Sequence, residues 1–365
     1  MTTSGPRAAA PLRVVVTGGA GFIGIPVVAA LLAHGHAVTA VDDLRADVHR
    51  DGGKGATSRL ATFGVPLVVG DVRDSAVVRE VLSGAEAVVH LAAKVGLGVD
   101  IDDMDDYVSS NDLGTAVVLR SAAAQNVPRF VQASSMVVYG EGHYSCADHG
   151  VVPPGPRTRE ALQRKVFDPP CPICGATLVP GLVTEESGLD PRNTYAATKV
   201  MQEHLASVWA RETGGTAVSL RLHNVYGPGM PRNTPYSGVA AMFLSALDRG
   251  VAPTVFEDGG QRRDFVHVGD VAEAFAVAVG TSAIEPGTHR AYNVGSGVVS
   301  TIGDVARALA GTRGGPEPVV TGEFRLGDVR HITASSERAA TELSWRATIT
   351  LAAGVSDLGV PADHA

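Results

Sequence analysis

Arg13-Val14-Val15-Val16-Thr17-Gly18-Gly19-Ala20-Gly21-Phe22-Ile23-Gly24 is the stretch on which the fold turns. An apolar, strand-like run, Arg13 to Thr17, enters a glycine turn, and a helix-like run from Phe22 to His34 leaves it. Gly19, Gly21 and Gly24 have the Gly-x-Gly-x-x-Gly spacing of a dinucleotide-binding turn. One glycine makes the sharp bend, another lets a pyrophosphate approach the backbone, and the last packs helix on strand. The helix N-terminus then faces the anion. A glycine-rich turn alone is weak evidence; the strand before it and the helix after it give it weight. A strand so uniformly apolar should be covered on both faces and lie in mid-sheet.

The run Ala37 to Val41 reads as a second strand ending at Asp42, roughly 20 residues downstream. A carboxylate there accepts hydrogen bonds from ribose hydroxyls and repels a 2′-phosphate, which favours NAD over NADP. The competing reading is that Asp42 and Asp43 merely open a turn. Leu67 to Gly70, Ala87 to Leu91 and Phe130 to Ala133 read as further buried strands. Helices are expected near Ser75 to Leu82 and Asp112 to Gln125. Asp71 and Val72 fall where adenine should lie, and Leu91, Ala92 and Ala93 where small side chains let the cofactor pass. Phe22 and Ile23, at the start of the first helix, are expected to contact the cofactor as well. This alternation predicts an α/β fold with a Rossmann-type, doubly wound parallel sheet.

From about Glu141 to Leu182 the texture changes. Prolines cluster at Pro153, Pro154, Pro156, Pro169, Pro170, Pro172 and Pro180, and hydrophobic periodicity disappears. A helix from Thr194 to Glu212 and a strand from Ala217 to Leu222 follow. The expected division is a cofactor domain over 12–140 plus 183–223 and an insertion over 141–182. A smaller mixed substrate subdomain covers 224–357, with some segments returning to the main sheet.

Composition narrows the partners. The 365 residues are 45% hydrophobic and 19% charged, enough apolar material for one large unit and a subdomain. A net charge of -8 argues against a nucleic acid polymer, whose phosphates demand a basic face. No run approaches the roughly 20 apolar residues of a membrane span. Met1 to Pro11 carries no apolar signal core and reads as a frayed tail, so the cytoplasm is the expected location.

Two motifs carry the chemistry. Tyr195-Ala196-Ala197-Thr198-Lys199 places a phenol and an ammonium on one helix face. An ammonium nearby should lower the phenol toward neutrality and make Tyr195 a general base. Ser134-Ser135-Met136-Val137-Val138-Tyr139-Gly140 directly follows a buried strand, at the edge where open α/β sheets bind ligands. Ser135 can there donate to a substrate oxygen.

With these motifs and the Gly18, Gly21, Gly24 spacing, the chain resembles the extended short-chain dehydrogenase/reductase family from Arg13 to about Trp345. The resemblance implies NAD as cofactor, Ser135, Tyr195 and Lys199 as catalytic residues, and Asn111 as a structural asparagine. It also implies a nucleotide-diphosphate sugar as substrate. Asn224, in Arg221-Leu222-His223-Asn224-Val225-Tyr226-Gly227-Pro228, matches a substrate-contacting asparagine. Arg263, in Arg263-Asp264-Phe265-Val266-His267-Val268, and Arg325, in Arg325-Leu326-Gly327-Asp328, match diphosphate-binding arginines. A homodimer is the family habit, through helices near Asp105 to Gln125 and Thr194 to Glu212. The resembling dehydratases carry Asp-Glu after the catalytic hydroxyl, and the decarboxylases a Glu in the second position. Here these positions are Met136 and Val137, which leaves oxidation and reduction at C4, as in a 4-epimerase. A net NAD(P)-dependent dehydrogenase or reductase, and a non-catalytic cofactor sensor, are the competing readings.

All three cysteines fall in the insertion. Cys146-Ala147-Asp148-His149-Gly150 is matched by Cys171-Pro172-Ile173-Cys174-Gly175, the double-knuckle spacing of a structural zinc site. A Cys171–Cys174 disulfide or free thiols are the alternatives. The insertion itself resembles a branch of dTDP-L-rhamnose 4-epimerases, whose product would be dTDP-6-deoxy-L-talose. UDP-hexose 4-epimerisation is the other substrate class considered.

Overall fold

A computed structural model describes residues 10–49, 51–96, 101–232 and 238–358. Most of the Met1 to Pro11 tail therefore lies outside the described residues. The first half alternates strand and helix. It runs β1 (Arg13–Thr17), α1 (Gly24–Ala33), β2 (Ala37–Asp42), α2 (Lys54–Thr62), β3 (Leu67–Val69), α3 (Ser75–Val81) and β4 (Ala87–His90). A continuous helical stretch follows: α4 (Met104–Tyr107), a π-helical segment over Val108–Leu113, and α5 (Gly114–Ala124). Then comes β5 (Arg129–Ser135).

The insertion contributes β6 (Tyr144–Cys146), β7 (Gly150–Val151), α6 (Arg159–Gln163) and β8 (Val179–Pro180). After it come α7 (Thr194–Thr213), β9 (Thr216–Leu222), β10 (Asn224–Tyr226), α8 (Val239–Asp248), β11 (Thr254–Val255) and β12 (Arg262–His267). The chain finishes with α9 (Val268–Gly280), β13 (His289–Val294), β14 (Val299–Thr301), α10 (Ile302–Arg313), β15 (Val319–Val320), α11 (Glu337–Glu342) and α12 (Leu351–Asp357).

The central sheet has seven strands in the order β13-β9-β5-β4-β1-β2-β3. All its pairings are parallel. Strand β1 lies mid-sheet, and its side chains alternate between two cores, as the pleat requires. Val14 and Val16 pack with Val27, Leu31 and Phe275 of α1 and α9. Val15 packs on the other face with Val78, Val118 and Trp209 of α3, α5 and α7. Helices on both faces make the sheet doubly wound. The strand order reverses between β1 and β4, and that switch point opens a crevice at the strands' C-terminal ends.

Some expectations need correction. Leu67 to Gly70 was expected as buried, yet β3 is the sheet's outer edge and Val69 is 63% exposed. An edge strand is covered on fewer sides, which an apolar run cannot reveal. Helix α2 has one buried residue, Leu60, so its sequence carries almost no apolar stripe. The first helix starts at Gly24 rather than Phe22, because Gly21 to Ile23 complete the turn.

The C-terminal part builds a small sheet, β10-β12-β14, with parallel and antiparallel pairs. Its core joins α8, α10 and α12 through Phe243, Leu244, Leu309 and Val355. Strand β13 and helix α9 return to the main sheet. The insertion forms its own sheet, β7-β6-β8, over a core of Tyr144, Cys146, Val152, Cys171 and Leu178. It is thus less coreless than its proline content suggests.

Candidate active site

A cavity of about 460 Å³ lies at the switch point. Gly18, Gly21, Phe22, Ile23, Gly24, Asp42, Asp71, Val72, Leu91, Ala92 and Ala93 line it, with Ser135, Tyr195, Lys199 and Asn224 also on its walls. Every sequence-expected cofactor and catalytic residue therefore meets in one space. Arg263 and Arg325 are not among its lining residues.

The glycine turn is built for close approach. Gly18 sits at φ +69°, and a Cβ there would lie 2.7 Å from the Ala92 amide nitrogen. A Cβ on Gly24 would lie 2.2 Å from the Gly18 carbonyl oxygen, so no larger residue fits. Helix α1 begins after Ile23, which offers its first amides no side-chain cap. Those amides and the helix dipole can hold an anion. The space, the turn and the acidic end of β2 fit a dinucleotide.

Asp42 does more than expected. Its Oδ2 accepts from the Ala20 amide at 3.1 Å and its Oδ1 from the Leu44 amide at 2.9 Å. It braces the glycine turn while retaining lone pairs for a ribose. Asp43 also faces the cavity, and burial, aided by the charge of Asp42, pushes its carboxyl up. Asp71 pairs with Arg73 at 2.5 Å, which holds its carboxyl below the usual range. Arg45 and Lys94 line the cavity from opposite segments and share Asp106, at 3.3 and 2.8 Å. Neither cation belonged to a sequence motif.

Helix α7 is placed by Asn111. This fully buried amide accepts from the Lys94 amide at 2.7 Å and donates to Thr198 Oγ1 at 2.9 Å. It thereby fastens the π-helical segment to the β4 loop and to the helix bearing Tyr195 and Lys199. Ser135 ends β5, lines the cavity beside Tyr195, and accepts from the Val137 amide at 3.4 Å. Its neighbour Ser134 turns inward to Glu203 at 2.5 Å, and Glu203 pairs with the buried Arg221 at 2.7 Å.

The phenol does not behave as its spacing from Lys199 suggests. Burial pushes Tyr195 up to about 12, with the neighbouring Ser135 hydroxyl acting in the other direction. Burial also draws Lys199 down to about 8. Its Nζ donates to the Ala133 carbonyl at 2.9 Å and stands 5.7 Å from the Tyr195 ring centre. Desolvation is felt by both groups before their attraction is, and helical spacing alone does not report it.

On the far wall, His223 and Asn224 end β9 and begin β10. Both ring nitrogens of His223 and the Asn224 Oδ1 are buried without a hydrogen-bond partner. Burial, then the charge of Arg263, lowers His223 to about 3, so it is neutral. Arg263 spends its guanidinium on the carbonyls of Arg262, Val329 and Arg330, at 2.8, 2.7 and 3.0 Å. Arg325 is exposed and lies over Phe256, 5.2 Å from the ring centre.

A second site lies in the insertion. The ligand atoms of Cys146, His149, Cys171 and Cys174 all fall within 4.8 Å of one another. Cys146 Sγ is 3.5 Å from His149 Nδ1 and 3.7 Å from Cys174 Sγ. Cys171 Sγ is 3.7 Å from the same Nδ1. A tetrahedral ion with metal–sulfur bonds of about 2.3 Å spaces its thiolates about 3.8 Å apart. All three cysteines are free. The backbone amide of Cys174, foremost, holds the Cys171 thiol down to about 6. The four side chains fit a divalent metal.

Comparison with known proteins agrees with this architecture. The model of the NAD dependent epimerase/dehydratase family matches residues 14–161 and 174–295. The dTDP-L-rhamnose 4-epimerase of Burkholderia thailandensis is 35% identical, over 95% of this chain and 93% of its own. The UDP-glucose 4-epimerase of Corynebacterium glutamicum is 30% identical, over 92% and 90%. The crystal structure of Thermus thermophilus UDP-glucose 4-epimerase in complex with NAD superposes with a TM-score of 0.75 at 30% identity, covering 97% of this chain and 98% of that one. The chain belongs to the NAD dependent epimerase/dehydratase family. It is an enzyme of the nucleotide-sugar 4-epimerase group within it. No described helix is long and apolar enough to cross a membrane.

Proposed function

We propose that the protein epimerises C4 of a nucleotide-diphosphate sugar, with dTDP-L-rhamnose and dTDP-6-deoxy-L-talose as the substrate pair. The observation that carries the reading is that Ser135, Tyr195 and Lys199 share the wall of the same cavity that the Gly18–Gly24 turn also lines. Gly18, Gly21, Gly24 and Asp42 would hold NAD, which supplies a hydride acceptor and a positive ring charge when bound. Tyr195 takes the proton of the sugar O4 while Ser135 donates to that oxygen. Lys199 keeps a positive field beside the phenol and favours its ionised form. The resulting 4-keto sugar turns over within the pocket, and Tyr195 returns the proton after reduction on the other face. Among the described lining residues the carboxylates are Asp42, Asp43 and Asp71, all at the adenosine end. Elimination across C5 and C6 would need an acid or base near Tyr195, so simple oxidation and reduction at C4 is favoured.

The division of labour belongs to this proposal. Residues 12–140 and 183–223 take the dinucleotide, and 224–357 mainly the sugar nucleotide through Asn224, Arg263 and Arg325. The insertion, 141–182, holds a structural zinc on Cys146, His149, Cys171 and Cys174. The site is closed by four protein ligands and so stabilises rather than catalyses. A homodimer is proposed through α4 to α5 and α7, whose Met104, Val108, Leu113, Met201 and Val208 are exposed.

A UDP-hexose substrate is the second reading, supported by the UDP-glucose 4-epimerases among the relatives. Incubation with dTDP-L-rhamnose, UDP-glucose and UDP-galactose, without added NAD and followed by proton NMR, tests both. Conversion of dTDP-L-rhamnose to its C4 epimer is expected. Turnover only of the UDP-hexoses would replace the substrate. A requirement for stoichiometric added cofactor would replace epimerisation by net oxidation or reduction.

A further inference from the structure

A charge cluster outside the cavity lies between the insertion and the segment 325–335. Arg157, in the insertion, has a side chain only 4% exposed. Its Nη1 donates to Glu257 Oε1 at 2.8 Å and its Nη2 to the Asp328 carbonyl at 2.5 Å. Glu141 accepts from the Arg330 amide at 2.9 Å. The Arg330 guanidinium is held by Asp168, Glu257 and Asp258 at 2.9, 2.9 and 2.8 Å. Asp168 also meets His331 Nε2 at 3.0 Å. Gly142 passes so close that a Cβ there would lie 2.6 Å from the His331 carbonyl oxygen. Val183 continues the seam, donating to the Thr333 carbonyl at 2.8 Å and accepting from the Ser335 amide at 2.9 Å.

Residues 325–330 form neither helix nor strand, so their shape comes from what grips them. On one side the grip is the insertion. On the other it is Arg263, through the Val329 and Arg330 carbonyls. Arg325 opens this turn and rests on Phe256, the residue next to the Glu257 that Arg157 holds. A guanidinium joining a carboxylate and a carbonyl from two segments is a directional, charge-assisted link. Buried, it is stronger than the same link in water. A binding group carried on a turn loses effect when displaced by about 1 Å.

We propose that Arg157 is a positioning residue for the sugar nucleotide. By tying the insertion to the Asp328 turn, it sets where Arg325 meets the diphosphate. The insertion thereby governs substrate affinity without touching the reacting carbon. This rests on the reading of Arg325 as a diphosphate ligand.

The test uses the full chain with its bound NAD and metal quantified. Arg157→Gln, Arg157→Lys, Asp168→Asn and Arg325→Ala are titrated with dTDP and UDP by calorimetry and assayed at steady state. Arg157→Gln should weaken nucleotide binding about tenfold and raise KM alike, with kcat within about twofold and NAD and metal content unchanged. Arg157→Lys, which keeps the charge but not the fork, should recover part of the loss. Should Arg157→Gln not fold, Asp168→Asn reads the same seam from its exposed side, with an expected loss of about threefold. Unaltered nucleotide affinity in a folded Arg157→Gln, alongside weakened binding by Arg325→Ala, overturns the positioning role alone. Unaltered affinity in Arg325→Ala overturns the diphosphate reading and this inference with it.

Discussion

Lys199 points its ammonium at the carbonyl of Ala133, 2.9 Å away, and not at the phenol of Tyr195, whose ring centre lies 5.7 Å off. The lysine is thus anchored to β5 by this hydrogen bond. Burial pushes the phenol up to about 12, and the positive ring charge of the proposed cofactor would act in the opposite sense. Tyr195→Phe should lower kcat by about 10³-fold and leave bound NAD in place. Steady-state rates and cofactor absorbance after denaturation check both. Full activity in this variant would remove Tyr195 from the chemistry.

Asp106 joins Arg45 and Lys94, two residues that line the cavity, at 3.3 and 2.8 Å. The pairing is partly solvent-exposed, so its loss should cost only about 1 kcal/mol. Asp106→Asn should release NAD roughly fivefold faster, with little change in kcat at saturating cofactor. Stopped-flow displacement of NAD measures this; an unchanged release rate would leave the bridge without a role in retention.

The insertion predicts about one zinc per chain. Cys174→Ser should lose the ion and lower the thermal midpoint by about 5 °C or more, while kcat falls less than in Tyr195→Phe. Elemental analysis and calorimetry together check this. A wild-type protein whose midpoint is unchanged when its metal is stripped by a chelator would count against a structural ion.

Acid should weaken the fold through buried neutral histidines. His90 bonds Thr17 Oγ1 at 2.7 Å and Thr115 Oγ1 at 3.0 Å, and burial lowers it to about 3. An unfolded histidine binds its proton near pH 6.5, so the unfolded chain takes up more protons below that value. Stability contributed by His90 is full above about pH 6.5 and declines as pH falls toward 3, by about 2 kcal/mol at pH 5. Urea unfolding between pH 7 and 5 should show that slope, and His90→Gln should flatten it. His223, also lowered to about 3, adds a second such contribution.

The parts legible in the sequence were those set by local rules. Strand β1, the glycine turn and helix α1 follow from neighbours within about a dozen residues. The Cys146 and Cys171 pairs likewise show themselves by spacing, and the four ligand atoms do converge. What stayed hidden depends on distance through space. Arg157 and Asp328 are 171 positions apart, and nothing near either predicts their contact. The edge position of β3 and the burial of Tyr195 are tertiary facts as well. The π-helical segment over Val108–Leu113 is made mostly of weak helix formers, and Asn111 within it docks on Lys94 and Thr198, contacts no local pattern reveals.

Because both Asp42 oxygens already anchor backbone amides, this side chain is part of the scaffold, whatever it offers to the ribose proposed beside it. Anyone redesigning the protein to accept a phosphorylated adenosine should therefore leave Asp42 alone. Asp43 and Arg45 border the same space, and recoding there would change selectivity while sparing the bend that makes nucleotide recognition possible.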